Sequence, residues 1–309
     1  MEPDPDLTTP TTRLGFLSVL TRRAAQAVPL PERPEPIETA PELPPSGTLI
    51  EPYLCEDGFL EDVEGTAEPG LHLWWLGQSG FLVRVDGEHL LIDPYLSDSL
   101  TERHAATDTP YERLTERVIE PHRLSFVDLV ACTNGNPDHL DPGTLPDVLS
   151  GGAKLVCPAG SEILTGNRIG RPPDAALAPG DDVQIGGFRI EAVPAYHERA
   201  PEAVGYVIRN GPFALYHAGD TRRVQGIAEA VAPHGVDVAI VPVNGKLGNM
   251  SGADAARLAH EAGARIAVPC HYEMFRIDTA SPARFVAECV RLRQEYRLLH
   301  AGEALIVDP

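Results

Sequence analysis

The pattern of hydrophobic and polar residues predicts an irregular N-terminal segment followed by many short strands. Seven prolines fall between residues 29 and 45 and exclude regular structure there, although a short helix fits residues 12–27. From residue 71 onwards, apolar and alternating stretches are separated by turn pairs such as Asp86-Gly87, Gly186-Gly187 and Asn210-Gly211. We therefore divide the chain into an arm or tail at residues 1–50 and a folded domain at residues 51–309.

The order of the predicted elements indicates a layered α/β fold. Strand-like stretches lie at residues 71–85, 88–96, 125–133, 153–159, 181–195, 204–219, 236–245 and 264–271. Helical segments are predicted at 142–149, 223–232, 253–263 and 282–295. The last of them follows Ser281-Pro282, a serine cap with proline at the first helical position. Strands that later alternate with helices are typical of layered α/β proteins. The pattern alone does not separate a two-sheet sandwich from an open twisted sheet.

Composition narrows the class of protein. A hydrophobic fraction of 43% suffices for a sizeable core, and no apolar run approaches the roughly 20 residues of a membrane-spanning helix. A net charge of −20 repels phosphate backbones and anionic membranes, so we expect neither nucleic acid nor a membrane as partner. The N-terminus lacks the pattern of a secretory signal, which favours the cytoplasm, and a homo-oligomer stays open. Five scattered cysteines without CxxC spacing do not indicate a disulfide framework.

Four strand-like stretches each end in residues that can bind a metal ion. Asp138 and His139 follow one apolar strand, while His197, Asp220 and His271 end three others. Strand ends present side chains on a rigid base, and carboxylate with neutral imidazole suits zinc, manganese or iron. Taken singly, each residue has an ordinary interpretation as a surface histidine, a turn aspartate or a helix cap. Their repetition at four strand ends favours a metal site.

The order of the motifs resembles the metallo-β-lactamase superfamily, and more narrowly the branch that contains L-ascorbate-6-phosphate lactonase and related lactonases. The similarity covers residues 71–309 and implies an αββα four-layer sandwich with a metal site at the edge between the sheets. The matching stretches are WWLGQSGFLVRV (74–85), LLIDPYLS (90–97), NGNPDHLD (134–141), AYHE (195–198), YHAGDTR (216–222), PVNGKLGNMSGADAARLA (242–259) and VPCHYEMF (268–275).

The resemblance also implies a set of metal ligands, which are Asp138, His139, His197, Asp220 and His271. In that family Asp220 would bridge two ions, and His197 would serve the first ion together with two further histidines. Here Asn134 and Asn136 stand in place of those two histidines. Because an amide oxygen is a weaker ligand than imidazole, we predict one tightly bound divalent ion, zinc, manganese or iron, with any second ion held weakly.

These residues predict a lactonase-like metal-dependent hydrolase that cleaves a lactone, ester or amide in a small molecule. We assign catalytic roles to Asp138 and Asp220, either of which could orient the attacking water. Basic groups near the ion would favour an anionic substrate. The residues predicted to bind the substrate are Asn134, Asn136, Arg222, Asn244, Lys246 and Tyr272.

Two other functions stay open at this point. The two asparagines are compatible with a catalytically silent relative that binds a ligand or partner through the cleft, and the ligand types also permit a mononuclear iron redox enzyme. Around the site, Asp93 is expected to hold the ligand loop by hydrogen bonds. Residues 98–123, which include Arg103, His104 and Tyr111, are a candidate lid.

Overall fold

Two seven-stranded mixed sheets form the centre of the molecule, of which a computed structural model describes residues 43–66 and 68–308. The first sheet has the order β14-β1-β2-β3-β4-β5-β6 and the second the order β13-β12-β11-β10-β9-β8-β7. The strands of the first sheet are β1 (Leu71–Gly77), β2 (Gly80–Val85), β3 (Glu88–Ile92), β4 (Leu129–Ala131), β5 (Lys154–Pro158), β6 (Ala175–Leu177) and β14 (Ala304–Val307). Those of the second are β7 (Asp182–Ile185), β8 (Phe188–Pro194), β9 (Val204–Asn210), β10 (Phe213–His217), β11 (Val238–Pro242), β12 (Ile266–Cys270) and β13 (Glu295–Tyr296).

Helices flank both sheets. They are α1 (Glu56–Gly65), α2 (Ser99–His104), α3 (Leu145–Leu149), α4 (Glu162–Ile169), α5 (Ile227–Val231), α6 (Gly252–Glu261) and α7 (Ala283–Leu292), with short 3-10 turns at Pro121–Leu124 and Ala232–His234. Helix α6 packs on β11, β12 and α7, and it begins where the Ser251 side chain accepts the backbone N–H of Asp254. The predicted αββα sandwich is confirmed.

Strand β1 shows why the strands are continuously apolar. Neighbouring side chains of a strand point to opposite faces. Trp75 therefore joins the core between the two sheets with Phe81 and Tyr206, whose hydroxyl donates to the backbone oxygen of Cys132 after β4. Trp74 packs in a second core, which contains Phe59 of α1 and lies on the outer face of the first sheet. Because both faces are covered, every residue of β1 is buried.

Several predicted boundaries differ from the observed ones. The stretch 71–85 is two strands, because a turn at Gln78-Ser79 separates β1 from β2. Helices α1, α2 and α4 were not predicted, and the helix expected at 223–232 is shorter. The helix expected at 12–27 lies outside the described residues. So does most of the arm predicted at 1–50, and that domain boundary stays a prediction.

Among the helices of the described residues, none combines the length and the apolar character needed to cross a lipid bilayer. The cytoplasmic location stays a prediction.

Candidate metal centre

The candidate site lies where carboxyl ends of strands from both sheets meet. The loop after β4 carries His139, the loop after β10 carries Asp220, and His271 directly follows β12. Strand β4 runs parallel to β3 and β5, and β11 runs parallel to both β10 and β12. Because parallel strands end at the same edge of a sheet, residues far apart along the chain are brought to one place.

Four of the predicted ligands converge at this edge. His139 Nε2 lies 3.2 Å from Asp220 Oδ2 and 3.7 Å from Asp138 Oδ2. His271 Nε2 lies 3.2 Å from Asp220 Oδ1 and 3.6 Å from Asp138 Oδ2. Two ligand atoms that are both bound tetrahedrally to one zinc ion lie about 3.4 Å apart. Among the described residues, the ligand atoms of Asp138, His139 and His271 all lie within 4.8 Å of one another, which fits a single divalent ion. Asp220 approaches the two imidazoles with different oxygens, Oδ2 towards His139 and Oδ1 towards His271.

A buried carboxylate fixes the orientation of His139. Asp93 Oδ2 lies 2.7 Å from His139 Nδ1, and both side chains are fully buried. The carboxylate accepts the Nδ1 proton, so Nε2 points into the site, where it has no hydrogen-bond partner among the described residues. Asp93 also accepts the backbone N–H and the hydroxyl of Thr133. The expectation that Asp93 holds the ligand loop is confirmed.

The charges of the site also fit a cation. Burial lowers the pKa of His139, but the carboxylates of Asp220, Asp93 and Asp138 outweigh it and raise that pKa well above its ordinary value. Burial also opposes the shift at His271, whose pKa Asp220 raises to about 9. Burial raises the pKa of Asp220, yet the two imidazoles hold it well below its usual range. These shifts show that the buried carboxylates favour a positive charge beside them, which a divalent ion bound by the neutral imidazoles would supply.

At the position of the first ion of the family, His197, Asn134 and Asn136 together supply one imidazole. His197 is buried, and its Nε2 lies 3.7 Å from Asp220 Oδ2. The side-chain oxygen of Asn134 accepts the backbone N–H of Asn136 at 2.8 Å, so it is engaged within its own loop. The side chain of Asn136 lines the cleft above the site.

Two basic residues predicted to bind the substrate lie away from the lining of this cleft. The half-exposed guanidinium of Arg222 forms an ion pair with Glu198 at 2.6 Å. The exposed ammonium of Lys246 donates to the backbone oxygen of Ile277 at 3.1 Å. Neither cation belongs to the described residues that line the cleft.

Two other predicted substrate residues lie behind the site. The hydroxyl of buried Tyr272 donates to the backbone oxygen of Leu299 at 2.6 Å. Asn244 donates to Asp278 Oδ1 at 2.7 Å, and Asp278 Oδ2 lies 3.8 Å from His271 Nδ1. The structure thus places Asn244 where it orients Asp278 rather than where it meets a substrate.

The cleft over the site has a volume of about 260 Å³. One wall is formed by Arg103, His104 and Tyr111, which belong to the segment predicted as a lid. Arg199 and Asn249 also line it, and Asn249 donates to Asp220 Oδ1 at 2.8 Å. The cationic groups at the cleft are therefore Arg103 and Arg199, of which the sequence singled out the first only as part of the lid.

Comparison with known proteins agrees with the fold. A profile described as the beta-lactamase superfamily domain matches residues 72–271. The chain belongs to the metallo-β-lactamase superfamily and, within it, to the UPF0173 metal-dependent hydrolases. The prediction of a metal-dependent hydrolase of this fold is confirmed at the level of that family. The narrower kinship with L-ascorbate-6-phosphate lactonase stays a prediction.

Individual relatives match most of the chain. A UPF0173 metal-dependent hydrolase of Opitutus terrae is 30% identical over 248 residues, which cover 77% of this chain and 100% of the relative. A second, from Methanopyrus kandleri, is 27% identical over 257 residues, which cover 76% of this chain and 99% of the relative. The solved structure of Igni18, a metallo hydrolase from Ignicoccus hospitalis, superposes with a TM-score of 0.59 at 24% identity, covering 77% and 99%, and supports the shared fold.

Proposed function

We propose that this chain is a mononuclear metal-dependent hydrolase that opens a lactone, ester or amide bond in a small anionic molecule. The proposal rests on the convergence of Asp138, His139, Asp220 and His271. Each imidazole Nε2 there lies 3.2–3.7 Å from carboxylate oxygens of both aspartates. A single ion is favoured because His197 is the one imidazole that the described part of the chain supplies at the other metal position, where the Asn134 oxygen is already engaged.

The residues around the ion have separable roles. A divalent ion held by these four ligands would supply Lewis acidity, polarising a carbonyl group and making a water molecule more acidic. Asp220 is the more enclosed carboxylate, and it already accepts from Asn249. The side chain of Asp138 is 14% exposed and lines the cleft, so we assign it the task of orienting water and accepting its proton. The Asn136 amide can donate to a substrate oxygen from the same cleft.

Charge supports an anionic substrate. Asp138, Asp220 and Asp278 line the cleft, and together they carry more negative charge than one divalent ion neutralises. Arg103 and Arg199 line the same cleft, which reverses the balance and offers guanidinium groups to a carboxylate or phosphate. These two arginines take the role that the sequence had assigned to Arg222 and Lys246.

Metal content tests the proposal directly. Elemental analysis by mass spectrometry should find a single tightly bound ion in the purified protein, and His271→Ala should lose it. His122→Ala, a change at an exposed histidine outside the site, is the control and should keep the ion. Two tightly held ions would refute a mononuclear site, and the absence of any ion would favour a silent binding protein.

Substrate class is tested with the loaded protein. Matched pairs of lactones and aryl esters, with and without a carboxylate or phosphate group, should show hydrolysis with a higher kcat/KM for the charged member. If the neutral members react equally well, the anionic preference is wrong. Metal binding without hydrolysis of any of these bonds would indicate a metal-stabilised binder.

A further inference from the structure

A fully buried glutamine touches two of the proposed ligands from a third part of the chain. Gln78 lies in the turn between β1 and β2, and none of its side chain is exposed. We propose that Gln78 is a positioning residue that holds Asp138 in the arrangement that binds the ion. This inference rests on the proposed metal-dependent function.

The contacts of the amide are specific. Gln78 Nε2 lies 2.8 Å from Asp138 Oδ2 and 3.0 Å from His271 Nε2. The turn that carries Gln78 belongs to the first sheet, whereas His271 follows a strand of the second. The amide can donate to the Asp138 carboxylate, whose other lone pairs stay free for an ion, whereas an ion bound to His271 Nε2 would take the lone pair that faces the amide. One amide group from the first sheet therefore fixes Asp138 beside His271, which is held by the second sheet.

The backbone of the turn does not explain why a glutamine is present. Gln78 has φ +50, a left-handed conformation that glycine adopts more easily, and Gly77 and Gly80 already lie beside it in the same turn. Its backbone oxygen accepts the N–H of His271 at 2.9 Å and the indole N–H of Trp75 at 3.0 Å. Those bonds need no particular side chain at this position.

The side chain also carries an unfavourable feature that packing alone would not retain. Gln78 Oε1 is buried and has no hydrogen-bond partner among the described residues, and buried polar atoms are seldom left unpaired. Local strain combined with an unpaired acceptor is tolerated where the same residue serves a site. The contacts with Asp138 and His271 are the feature of Gln78 that depends on its amide.

Two substitutions test separately whether the amide donor and the length of the side chain are needed. Gln78→Met keeps the length of the side chain but removes the donor. Gln78→Asn keeps the amide but shortens the side chain by one carbon–carbon bond, about 1.5 Å, so that it reaches neither ligand. The dissociation constant for Zn²⁺ or Mn²⁺, measured by competition with a chromogenic chelator, should rise about 10- to 100-fold in both. Ser79→Ala, in the same turn, is the control and should bind the ion as the parent does.

Thermal unfolding of the metal-free proteins distinguishes positioning from a structural role. We expect the midpoints of both variants to stay near that of the parent while metal affinity falls. Parent-like metal affinity in both variants overturns the inference, whether or not their midpoints drop. If the parent itself binds neither ion, the proposed function fails instead, so the two failures can be told apart.

Discussion

The replacement of Asp93 by asparagine tests how the site controls its histidine. Asp93 Oδ1 accepts the backbone N–H of Thr133 at 2.7 Å, and a backbone N–H can only donate. In Asp93→Asn the amide oxygen must keep that place, so the amide nitrogen takes the place of Oδ2. It then faces His139 Nδ1, which lies 2.7 Å from Oδ2 in the parent. Two N–H donors cannot share that contact, so Nδ1 must give up its proton and become the acceptor.

The expected loss follows from the geometry of the ring. An imidazole whose Nδ1 accepts carries its proton on Nε2, the atom that points at Asp220 and the proposed ion. Metal binding would then require the unfavourable contact between two donors to be restored. Changes in groups that orient a metal-binding histidine cost about 10- to 100-fold in affinity, which corresponds to about 1.4–2.7 kcal/mol. The metal-free fold loses less, because the backbone bond to Thr133 survives.

Chelator competition gives the metal dissociation constant, and chemical denaturation of the metal-free protein gives its stability. Asp141→Asn is the matched control, since Asp141 is an equally buried carboxylate that accepts from Ser97, Ser99 and Thr144. Within the described residues its carboxylate forms no hydrogen bond with a proposed ligand. Parent-like metal affinity in Asp93→Asn would refute the argument from the tautomer. An equal loss in Asp141→Asn would show that general loosening of the fold, rather than His139, is responsible.

Two further predictions concern the fold around the site. Gly219 has φ +60, and a β-carbon there would lie 2.7 Å from Thr133 Cβ. Gly219→Ala should therefore lower the free energy of unfolding, measured by urea denaturation, by about 1–3 kcal/mol. Gly211→Ala is the control and should lose less, because φ is also positive there but no atom lies within 4 Å of the added β-carbon. Hydrogen bonds from Arg291 and Arg257 lower the pKa of Glu288 to about 2. A carboxyl group whose pKa is lowered by folding stabilises the folded protein at pH values above its unfolded-state pKa, near 4.3, and this stabilisation disappears as the pH falls towards 2. The difference in unfolding free energy between the parent and Glu288→Gln should therefore shrink between about pH 4.3 and pH 2. A difference that does not change with pH would contradict this.

Much of the fold could be predicted because its strands are unusually apolar. Strands covered on both faces leave continuous hydrophobic runs, and β11 and β12 are of this kind. Helix α1 was missed for the opposite reason, since of its ten residues only Phe59 and Val63 are buried and two are glycines. The turn between β1 and β2 was missed because its left-handed residue is a glutamine rather than a glycine or asparagine.

The meeting of the candidate ligands at one edge could be predicted, whereas the basic residues beside them could not be placed correctly, for a reason of geometry. A residue at the end of a buried parallel strand is placed by the sheet, so the positions of Asp220 and His271 follow from the chain order. Two residues beyond Asp220, Arg222 turns to Glu198 at the surface. Arg103 reaches the cleft from helix α2 and Arg199 from a loop, and the positions of both segments depend on tertiary packing. Nearness in sequence to a ligand therefore says little about which side chains meet a substrate.

The concentration of carboxylates at this edge links metal binding to folding. Asp93, Asp138, Asp220 and Asp278 lie within one site of a protein whose net charge is already −20. Bringing like charges together in a buried place is unfavourable unless a cation or protons balance them. A ligand that binds only the folded chain stabilises it in proportion to the logarithm of its concentration over its dissociation constant. The arrangement that makes this edge suitable for hydrolysis should therefore also make the stability of the protein depend on its ion.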